Sequence, residues 1–245
     1  MKQRVMSFTD TGCSLPTFET WMSWPGKNVT LEEKRVQMRE IVWNGESCFL
    51  KVCAFESAEF AMRQWLHGRR AISSPELEAI NLIALQKAGF DVVPVPVAGT
   101  AYQWGKISQG FLVTRAVNGI GLDQDLLMST NARRRELLQC YGRLIARLHR
   151  LNYYESLRCT DVLVDDDRLV LLDRTTLPVM LNLLGRSLAV RKSILRGAYR
   201  NRRVGVKLDV SDIDNLCAGY ANVDPGMVNV IRKALLAVYT ASIKL

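Results

Sequence analysis

Residues 36–54 read VQMREIVWNGESCFLKVCA, and this stretch determines how the rest of the chain is interpreted. Two β-rich runs, 36–43 and 48–54, flank the tetrapeptide Asn44-Gly45-Glu46-Ser47. Asn-Gly is the strongest short signal for a tight hairpin, because both residues tolerate the positive φ that the turn requires. The stretch therefore predicts two antiparallel strands, with Lys51 in the second of them.

The chain around this hairpin predicts a small sheet with one helix. Ser73-Ser74-Pro75-Glu76 is typical of a helix start, and apolar residues at helical spacing follow it as far as Gly89. Residues 92–98 and 110–117 predict two further strands around a polar turn at 103–109. The first thirty residues show no sustained period, and we interpret them as an irregular leader with one short helix near residues 18–24.

Beyond Asn118-Gly119 the pattern becomes helical. Residues 131–151 carry apolar side chains with a period near 3.6, and His149 at their end is interpreted as a packing residue. A short β pair, 161–164 and 168–172, is followed by helices at 179–200, 211–220 and 225–243. We therefore expect an α+β chain with a leader (1–30), a sheet-containing N-lobe that binds nucleotide (31–117) and a helical C-lobe (118–245).

Composition indicates a globular protein. The 245 residues are 48% hydrophobic, and the six cysteines show no spacing typical of a zinc site or a disulfide framework. No apolar run is long enough for a signal peptide or a membrane span, so we expect a cytoplasmic location. The net charge of +9 points to an acidic partner.

Lys51 and Glu78 are the first candidate site residues. Lys51 alternates with Leu50 and Val52, so its ammonium points to the opposite face of the strand from them, where it could pair with nucleotide phosphates. Glu78 lies one turn into the capped helix and could hold that lysine in place. Two alternatives stay open: Lys51 could be an exposed strand lysine, and Glu76 could replace Glu78 as its partner.

Asp173 is the third candidate. It follows Leu169-Val170-Leu171-Leu172, an apolar run that predicts a strand buried on both faces. A carboxylate at the end of such a strand is well placed to hold Mg²⁺, although it could simply cap the next turn.

The order of these fragments is the layout of a protein-kinase-like two-lobed fold, and several motifs make the likeness more specific. They are Phe49-Leu50-Lys51, residues 74–78, Pro94-Val95-Pro96, Leu148-His149-Arg150-Leu151, residues 154–164 and Leu171-Leu172-Asp173. Over residues 35–176 the chain resembles the lipopolysaccharide core kinases, the Kdo and heptose kinase family of Gram-negative bacteria. The resemblance implies ATP and Mg²⁺ as cofactors, and transfer of the γ-phosphate to a hydroxyl of a core sugar.

The chain departs from that family in its catalytic loop. The family pattern His-x-Asp-Leu aligns with Tyr154 to Leu157, which places Ser156 at the catalytic Asp and Asp161 at the second metal ligand. Glu155 is an acid next to the position of the missing base. Residues 38–45 contain one glycine, so no glycine-rich phosphate loop is predicted. The resemblance therefore implies either an active kinase or a pseudokinase that serves as a binding or regulatory module.

The stretch 174–207 contains no acidic residue and is strongly basic. It is either a solvated helix face or a surface that docks on the anionic inner leaflet, where a lipopolysaccharide core or lipid A precursor is presented. We expect the protein to be peripheral to the inner membrane and not to bind nucleic acid, because aromatic residues beyond Tyr199 are absent from the stretch. The residues assigned to lipid contact are Arg186, Arg191, Lys192, Arg196, Arg200, Arg202 and Arg203.

Overall fold

The computed structural model describes residues 1–9, 14–29, 35–66, 71–104 and 106–243. The chain divides into two compact units. The first comprises Met1–Val117 together with Asp173–Thr175, and the second comprises Asn118–Leu172 and Thr176–Leu245. Both helices and antiparallel strands are present, which confirms the α+β class.

The first unit is built on one antiparallel sheet of six strands, in the order β1-β5-β6-β4-β3-β2. Its strands are β1 (Lys2–Ser7), β2 (Lys27–Asn28), β3 (Val36–Trp43), β4 (Glu46–Cys53), β5 (Val97–Gln103) and β6 (Lys106–Arg115). Its helices are α1 (Phe18–Ser23), α2 (Ala58–Leu66) and α3 (Ser74–Lys87). Helix α1 is the short helix predicted near residues 18–24 and α3 is the predicted capped helix, whereas α2 was not predicted.

Strands β3 and β4 form the predicted hairpin. Trp43 faces Glu46 across a two-residue loop. Asn44 and Gly45 take positive φ values of 51° and 77°, as the mirror-image hairpin turn requires. The hairpin fixes the register of Lys51 opposite Met38 on one side, and β6 places Leu112 opposite Lys51 on the other.

The N-terminal segment corrects the interpretation of residues 1–30 as an irregular leader. Strand β1 pairs antiparallel with β5, from Lys2 opposite Tyr102 to Ser7 opposite Val97. Helix α1 buries Phe18 and Trp21 in the main apolar cluster of this unit. Two large buried aromatic side chains contribute several kcal/mol of hydrophobic stabilisation, roughly 1.5–3 kcal/mol each, so the segment belongs to the folded unit.

Strand β5 begins later than the sequence predicts. Residues 92–98 were expected to be a strand, but β5 runs from Val97 to Gln103. Pro94 and Pro96 have no N–H to donate to a neighbouring strand, which explains the delay. Strands β5 and β6 extend through most of the predicted polar turn at 103–109, so the connection is shorter than expected.

The second unit is mainly helical, as predicted. It contains a three-stranded sheet in the order β7-β8-β9, formed by β7 (Ile120–Gly121), β8 (Val162–Asp165) and β9 (Arg168–Leu171). Its helices are α4 (Leu122–Met128), α5 (Asn131–Arg150), α6 (Leu183–Arg203), α7 (Val210–Ala221) and α8 (Val228–Ile243). Short 3₁₀ turns lie at Cys159–Asp161 and Pro225–Met227.

Helices α5 and α7 form the centre of this unit. A Cβ on Gly219 would lie 2.0 Å from the carbonyl oxygen of Gln139, so only glycine permits this approach of the two helices. His149 is buried, and its ring nitrogens lie 3.0 Å from the Tyr220 hydroxyl and 3.1 Å from the Ser193 hydroxyl. Its interpretation as a packing residue is confirmed.

No helix within the described residues is both long enough and apolar enough to span a bilayer.

Candidate functional site

Lys51 lies at the centre of a cluster of charged groups in the first unit. Its Nζ is 2.7 Å from Oε1 and 2.6 Å from Oε2 of Glu78. The same Nζ is 3.5 Å from Oδ2 of Asp173. Strand β4, helix α3 and the short segment 173–175 thus bring three of the residues singled out in the sequence together. Lys51 is not an exposed strand lysine facing water.

Helix α3 is held at its first turn by several polar contacts. The Ser73 hydroxyl caps the helix by accepting from the backbone N–H of Glu76 at 3.3 Å. Oε1 of Glu56 accepts from both the N–H and the hydroxyl of Ser74, each at 2.5 Å. Because the start of the helix is fixed, the position of Glu78 one turn further is fixed as well.

The structure shows which of the two glutamates, Glu76 or Glu78, pairs with Lys51. Glu76 is fully buried, and its nearest cationic partner is Arg4 of β1, at 3.7 Å. Glu78 alone of the two contacts Lys51. A second turn of α3 contributes Asn81, whose side-chain amide donates to the carbonyl oxygen of Arg174 at 2.9 Å. This contact ties the segment that carries Asp173 to the helix that carries Glu78.

The electrostatics of the cluster favour a cationic lysine. Burial by itself would lower the pKa of the Lys51 ammonium, but Glu78 and Asp173 outweigh burial, and that pKa lies above its ordinary value. Burial raises the pKa of the Glu78 carboxyl, and the Lys51 ammonium acts in the opposite direction. Lys51 therefore stays protonated at neutral pH, as a group that binds phosphate must.

Asp173 is the open member of the cluster. Its side chain is 34% exposed, whereas the side chain of Glu78 is 3% exposed. Because a third of its side chain is exposed, the carboxylate retains acceptor capacity toward solvent. An exposed carboxylate beside a fixed ammonium fits a site for a phosphate-bound divalent cation, for which oxygen is the preferred ligand.

The loop that follows α5 carries two other predicted site residues, Ser156 and Glu155, and each of them is hydrogen-bonded within the second unit. The Ser156 hydroxyl is buried and accepts from Nη1 of Arg200, on α6, at 2.9 Å. Glu155 accepts from the backbone N–H of Thr176 through Oε2 at 3.2 Å. A serine hydroxyl bound to a guanidinium cannot serve as a general base near neutral pH. Glu155 is engaged in holding the chain at residue 176.

Asp161, the predicted second metal ligand, is bound by Arg158. Nη2 of Arg158 is 2.5 Å from Oδ1, and Nε is 2.9 Å from Oδ2. The backbone N–H of Arg158 also donates to Oδ2 at 3.3 Å. Both oxygens of Asp161 therefore accept hydrogen bonds from Arg158. Within the described residues, no group of three or more His, Cys, Asp or Glu side chains is arranged to hold a metal ion.

Sequence reasoning missed three contributors to these arrangements. Asn81 and Arg200 contact residues that are 93 and 44 positions away, respectively, so no local pattern could reveal them. Arg158 could have been found, because an Arg three residues before an Asp at the start of a turn is a common local ion pair.

The chain resembles known proteins in structure but not detectably in sequence. No protein-family model and no curated protein matches the sequence. Among solved structures, WaaP in complex with acyl carrier protein superposes with a TM-score of 0.55 at 15% identity, covering 91% of this chain and 92% of that one. WbdD bound to a kinase inhibitor matches with a TM-score of 0.49 at 18% identity over 87% of this chain and 45% of that one. The PAN3 pseudokinase of Neurospora crassa matches with a TM-score of 0.40 at 13% identity over 96% of this chain and 67% of that one.

The likeness to WaaP extends over nearly the full length of both chains and shows a shared fold. It confirms the predicted resemblance at the level of the fold alone. The chain therefore shares the fold of WaaP, and its first unit carries a lysine, a glutamate and an aspartate in contact.

Proposed function

We propose that this protein binds Mg²⁺-ATP through Lys51, Glu78 and Asp173 and belongs to lipopolysaccharide core biosynthesis. In its active form it transfers the γ-phosphate to a hydroxyl of Kdo or heptose. The observation that supports nucleotide binding most strongly is the contact of the Lys51 ammonium with both oxygens of buried Glu78, next to exposed Asp173. The sugar substrate follows from the sequence resemblance.

Each residue of the cluster has a distinct role in this proposal. Lys51 neutralises charge on the α- and β-phosphates, and Glu78 keeps its ammonium in one position, so little reorganisation accompanies binding. Asp173 is the residue that would hold Mg²⁺. The cation supplies charge neutralisation for the leaving phosphates. Asp161, which the sequence resemblance gives as the second metal ligand, is held in an ion pair by Arg158.

A pseudokinase is the second candidate, and two observations favour it. The residue at the catalytic position is Ser156, whose hydroxyl is bound to Arg200. Arg158 occupies both oxygens of Asp161. In this form the protein keeps the nucleotide site and acts as a binding or regulatory module in envelope synthesis.

The proposed location is cytoplasmic and peripheral to the inner membrane, where a lipopolysaccharide core or lipid A precursor is the acceptor. Two of the arginines assigned to anionic lipids have partners inside the second unit. Arg186 pairs with Asp224 at 2.5 Å, and Arg200 donates to Ser156. The proposal therefore retains Arg191, Lys192, Arg196, Arg202 and Arg203 for lipid contact.

The nucleotide site is tested by thermal unfolding with and without Mg²⁺-ATP. A ligand at about 100 times its dissociation constant adds about 2.7 kcal/mol to the free energy of unfolding, which raises the melting temperature by several degrees. We expect this rise in the wild type and in Lys106→Ala, a matched exposed lysine of β6. Lys51→Ala should abolish it.

Asp173→Ala keeps the test valid if Lys51→Ala fails to fold, because Asp173 is partly exposed and its loss leaves the Lys51–Glu78 pair intact. It should abolish the magnesium-dependent part of the rise. No rise in the folded wild type, or an equal rise in the wild type and both site variants, contradicts nucleotide binding at this cluster.

A further inference from the structure

Helix α6 presents two distinct faces. Val190, Ser193, Ile194, Gly197 and Asn201 are buried and pack into the second unit. At 100° per residue these positions occupy one arc of the helix. The opposite arc carries Leu184, Leu188, Arg191, Lys192, Arg196 and Tyr199, which we call the outer face of α6.

The outer face is unusual because its apolar side chains are large and open to solvent. Leu184 is 77% exposed, Leu188 is 66% exposed and Tyr199 is 48% exposed. Leu183 at the first helical position and Met180 just before it are also exposed. Single exposed leucines are common on protein surfaces, but a contiguous group on one helix end marks an interaction site.

The exposed leucines stand on an ordered support. Asn182 caps α6 by accepting from the N–H of Gly185 at 2.8 Å. The N–H of Val179, just before the helix, donates to the carbonyl oxygen of Asn152 at 3.0 Å. Arg186, on the flank of the first turn, is fixed to Asp224. The leucines are therefore held outward by a rigid helix.

The charge on the same face identifies the kind of partner. Arg191, Lys192 and Arg196 are exposed among the apolar residues, and residues 174–207 contain no acid. Exposed leucines that can be buried, followed along the same face by cations and then by Tyr199, form the pattern by which a helix lies in an anionic bilayer surface. An acidic protein or a nucleic acid would contact the cations, but such a partner would not account for the group of exposed leucines beside them.

We propose that the outer face of α6 docks on anionic phospholipid bilayers, with Leu184 and Leu188 inserted between headgroups and Arg191, Lys192 and Arg196 at the lipid phosphates. This deepens the proposed function and rests on its inner-membrane location. The proposed membrane contact then involves exposed leucines together with neighbouring cations, and not the basic stretch alone.

The test measures binding of the full chain to vesicles of phosphatidylethanolamine and phosphatidylglycerol by co-sedimentation, without nucleotide. Leu184→Gln/Leu188→Gln should lower the partition coefficient at least about tenfold, because two leucine side chains no longer enter the apolar layer. Arg191→Gln/Lys192→Gln should lower it by about fivefold per charge removed. At about 1 M salt, where the screening length is about 3 Å, only the leucine effect should persist.

Matched controls come from the same unit. Leu127 and Met128 of α4 are exposed to a similar degree, and Arg135 and Lys233 are exposed cations on α5 and α8. Leu127→Gln/Met128→Gln and Arg135→Gln/Lys233→Gln should bind vesicles as the wild type does. Lys51→Ala should also bind normally, so a failure of the vesicle test is distinguishable from a failure of the nucleotide site.

Three results would overturn the proposal. The first is wild-type binding by the leucine variant, and the second is an equal loss in the control pairs. The third is wild-type protein that does not bind the vesicles but binds polyglutamate or a single-stranded oligonucleotide at physiological salt. This result would assign the outer face of α6 to an acidic protein or to nucleic acid.

Discussion

Ser156 determines whether the loop after α5 can supply a general base that accepts a proton. Its hydroxyl accepts from the Arg200 guanidinium and is shielded from solvent, so the position is arranged to receive a hydrogen bond from a cation. A carboxylate would suit that donor better than a hydroxyl does, because a hydrogen bond between charged partners is stronger. Arg200 therefore supplies a charge-complementary donor for an acid at residue 156, although the chain has a serine there.

Ser156→Asp tests whether the loop can be made active. If the sequence alignment is right, the aspartate stands where a catalytic base is needed, and phosphate transfer to a core sugar should rise by about 10²-fold. The measurement is ADP release in the presence of Kdo or heptose acceptors. Ser156→Asn is the matched control, since it has nearly the same shape but cannot accept the proton. A rise in both variants, or in neither, contradicts the assignment of Ser156 to the catalytic position.

At the scale of elements, the site depends on how closely α3 approaches the sheet. Gly110 of β6 faces Ser73 at the start of α3, and a Cβ on Gly110 would lie 2.0 Å from the Ser73 hydroxyl and 2.2 Å from its Cβ. The same hydroxyl contacts Thr100 at 2.7 Å and donates to the carbonyl oxygen of Gly99 at 3.2 Å. The helix that carries Glu78 is therefore seated directly on β5 and β6.

Gly110→Ala should unfold the first unit more easily, with a loss of about 2–4 kcal/mol, because the new methyl group overlaps Ser73. Ser73→Gly removes both clashing atoms, so the double variant should recover part of that loss. The Ser73→Gly single variant should itself lose about 1–2 kcal/mol through the missing hydrogen bonds. Urea unfolding of all four proteins gives the coupling energy, and we expect at least about 1 kcal/mol of recovery.

Gly226→Ala is the control, because its Cβ would meet nothing closer than 3.9 Å. Strict additivity of the Gly110 and Ser73 substitutions would show that the two residues do not meet.

The elements that the sequence predicted well are those with a local cause. The β3–β4 hairpin follows from Asn44-Gly45, and α3 follows from the Ser73 cap and Pro75, so Lys51 and Glu78 could both be placed in advance. Strand β1 could not, because six residues of mixed polarity become a strand only when β5 offers a partner.

The same reasoning explains what the sequence revealed of the candidate site. The contact between Lys51 and Glu78 is implied by a strand followed by a capped helix. The partners of Ser156 and Arg174 come from distant parts of the chain, and nothing local indicates them. The exposure of Leu184 and Leu188 was equally hidden, because an apolar spacing on α6 does not say which face the rest of the unit covers.

For the whole molecule, the net charge of +9 opposes compactness, and surface ion pairs favour it. The pairs on the surface include Arg115–Glu46, Arg168–Asp165 and Arg232–Asp214. Exposed pairs of this kind contribute about 0–1 kcal/mol each and are weakened by salt. The like charges along 174–207 have no acidic residue among them in sequence, so their repulsion is relieved by salt.

We expect repulsion to dominate, so salt should stabilise the protein. Between low and moderate ionic strength the screening length falls from about 30 Å to about 10 Å. This removes most long-range repulsion but weakens the ion pairs, whose atoms are 2.5–2.8 Å apart, to a smaller extent. A gain of about 1 kcal/mol corresponds to a rise of about 2–4 °C in melting temperature for a chain of this size. Sodium chloride and sodium fluoride should act alike if screening is the cause.

Two variants separate the opposing terms in this prediction. Arg191→Gln/Lys192→Gln removes like charges from the outer face of α6, so it should melt higher than the wild type at low salt and respond less to added salt. Arg168→Gln breaks an exposed ion pair with Asp165 and should increase the response to salt slightly. A melting temperature that falls as salt is added would mean that the ion pairs outweigh the repulsion, and the basic stretch would then be balanced by acidic groups brought to it by the fold.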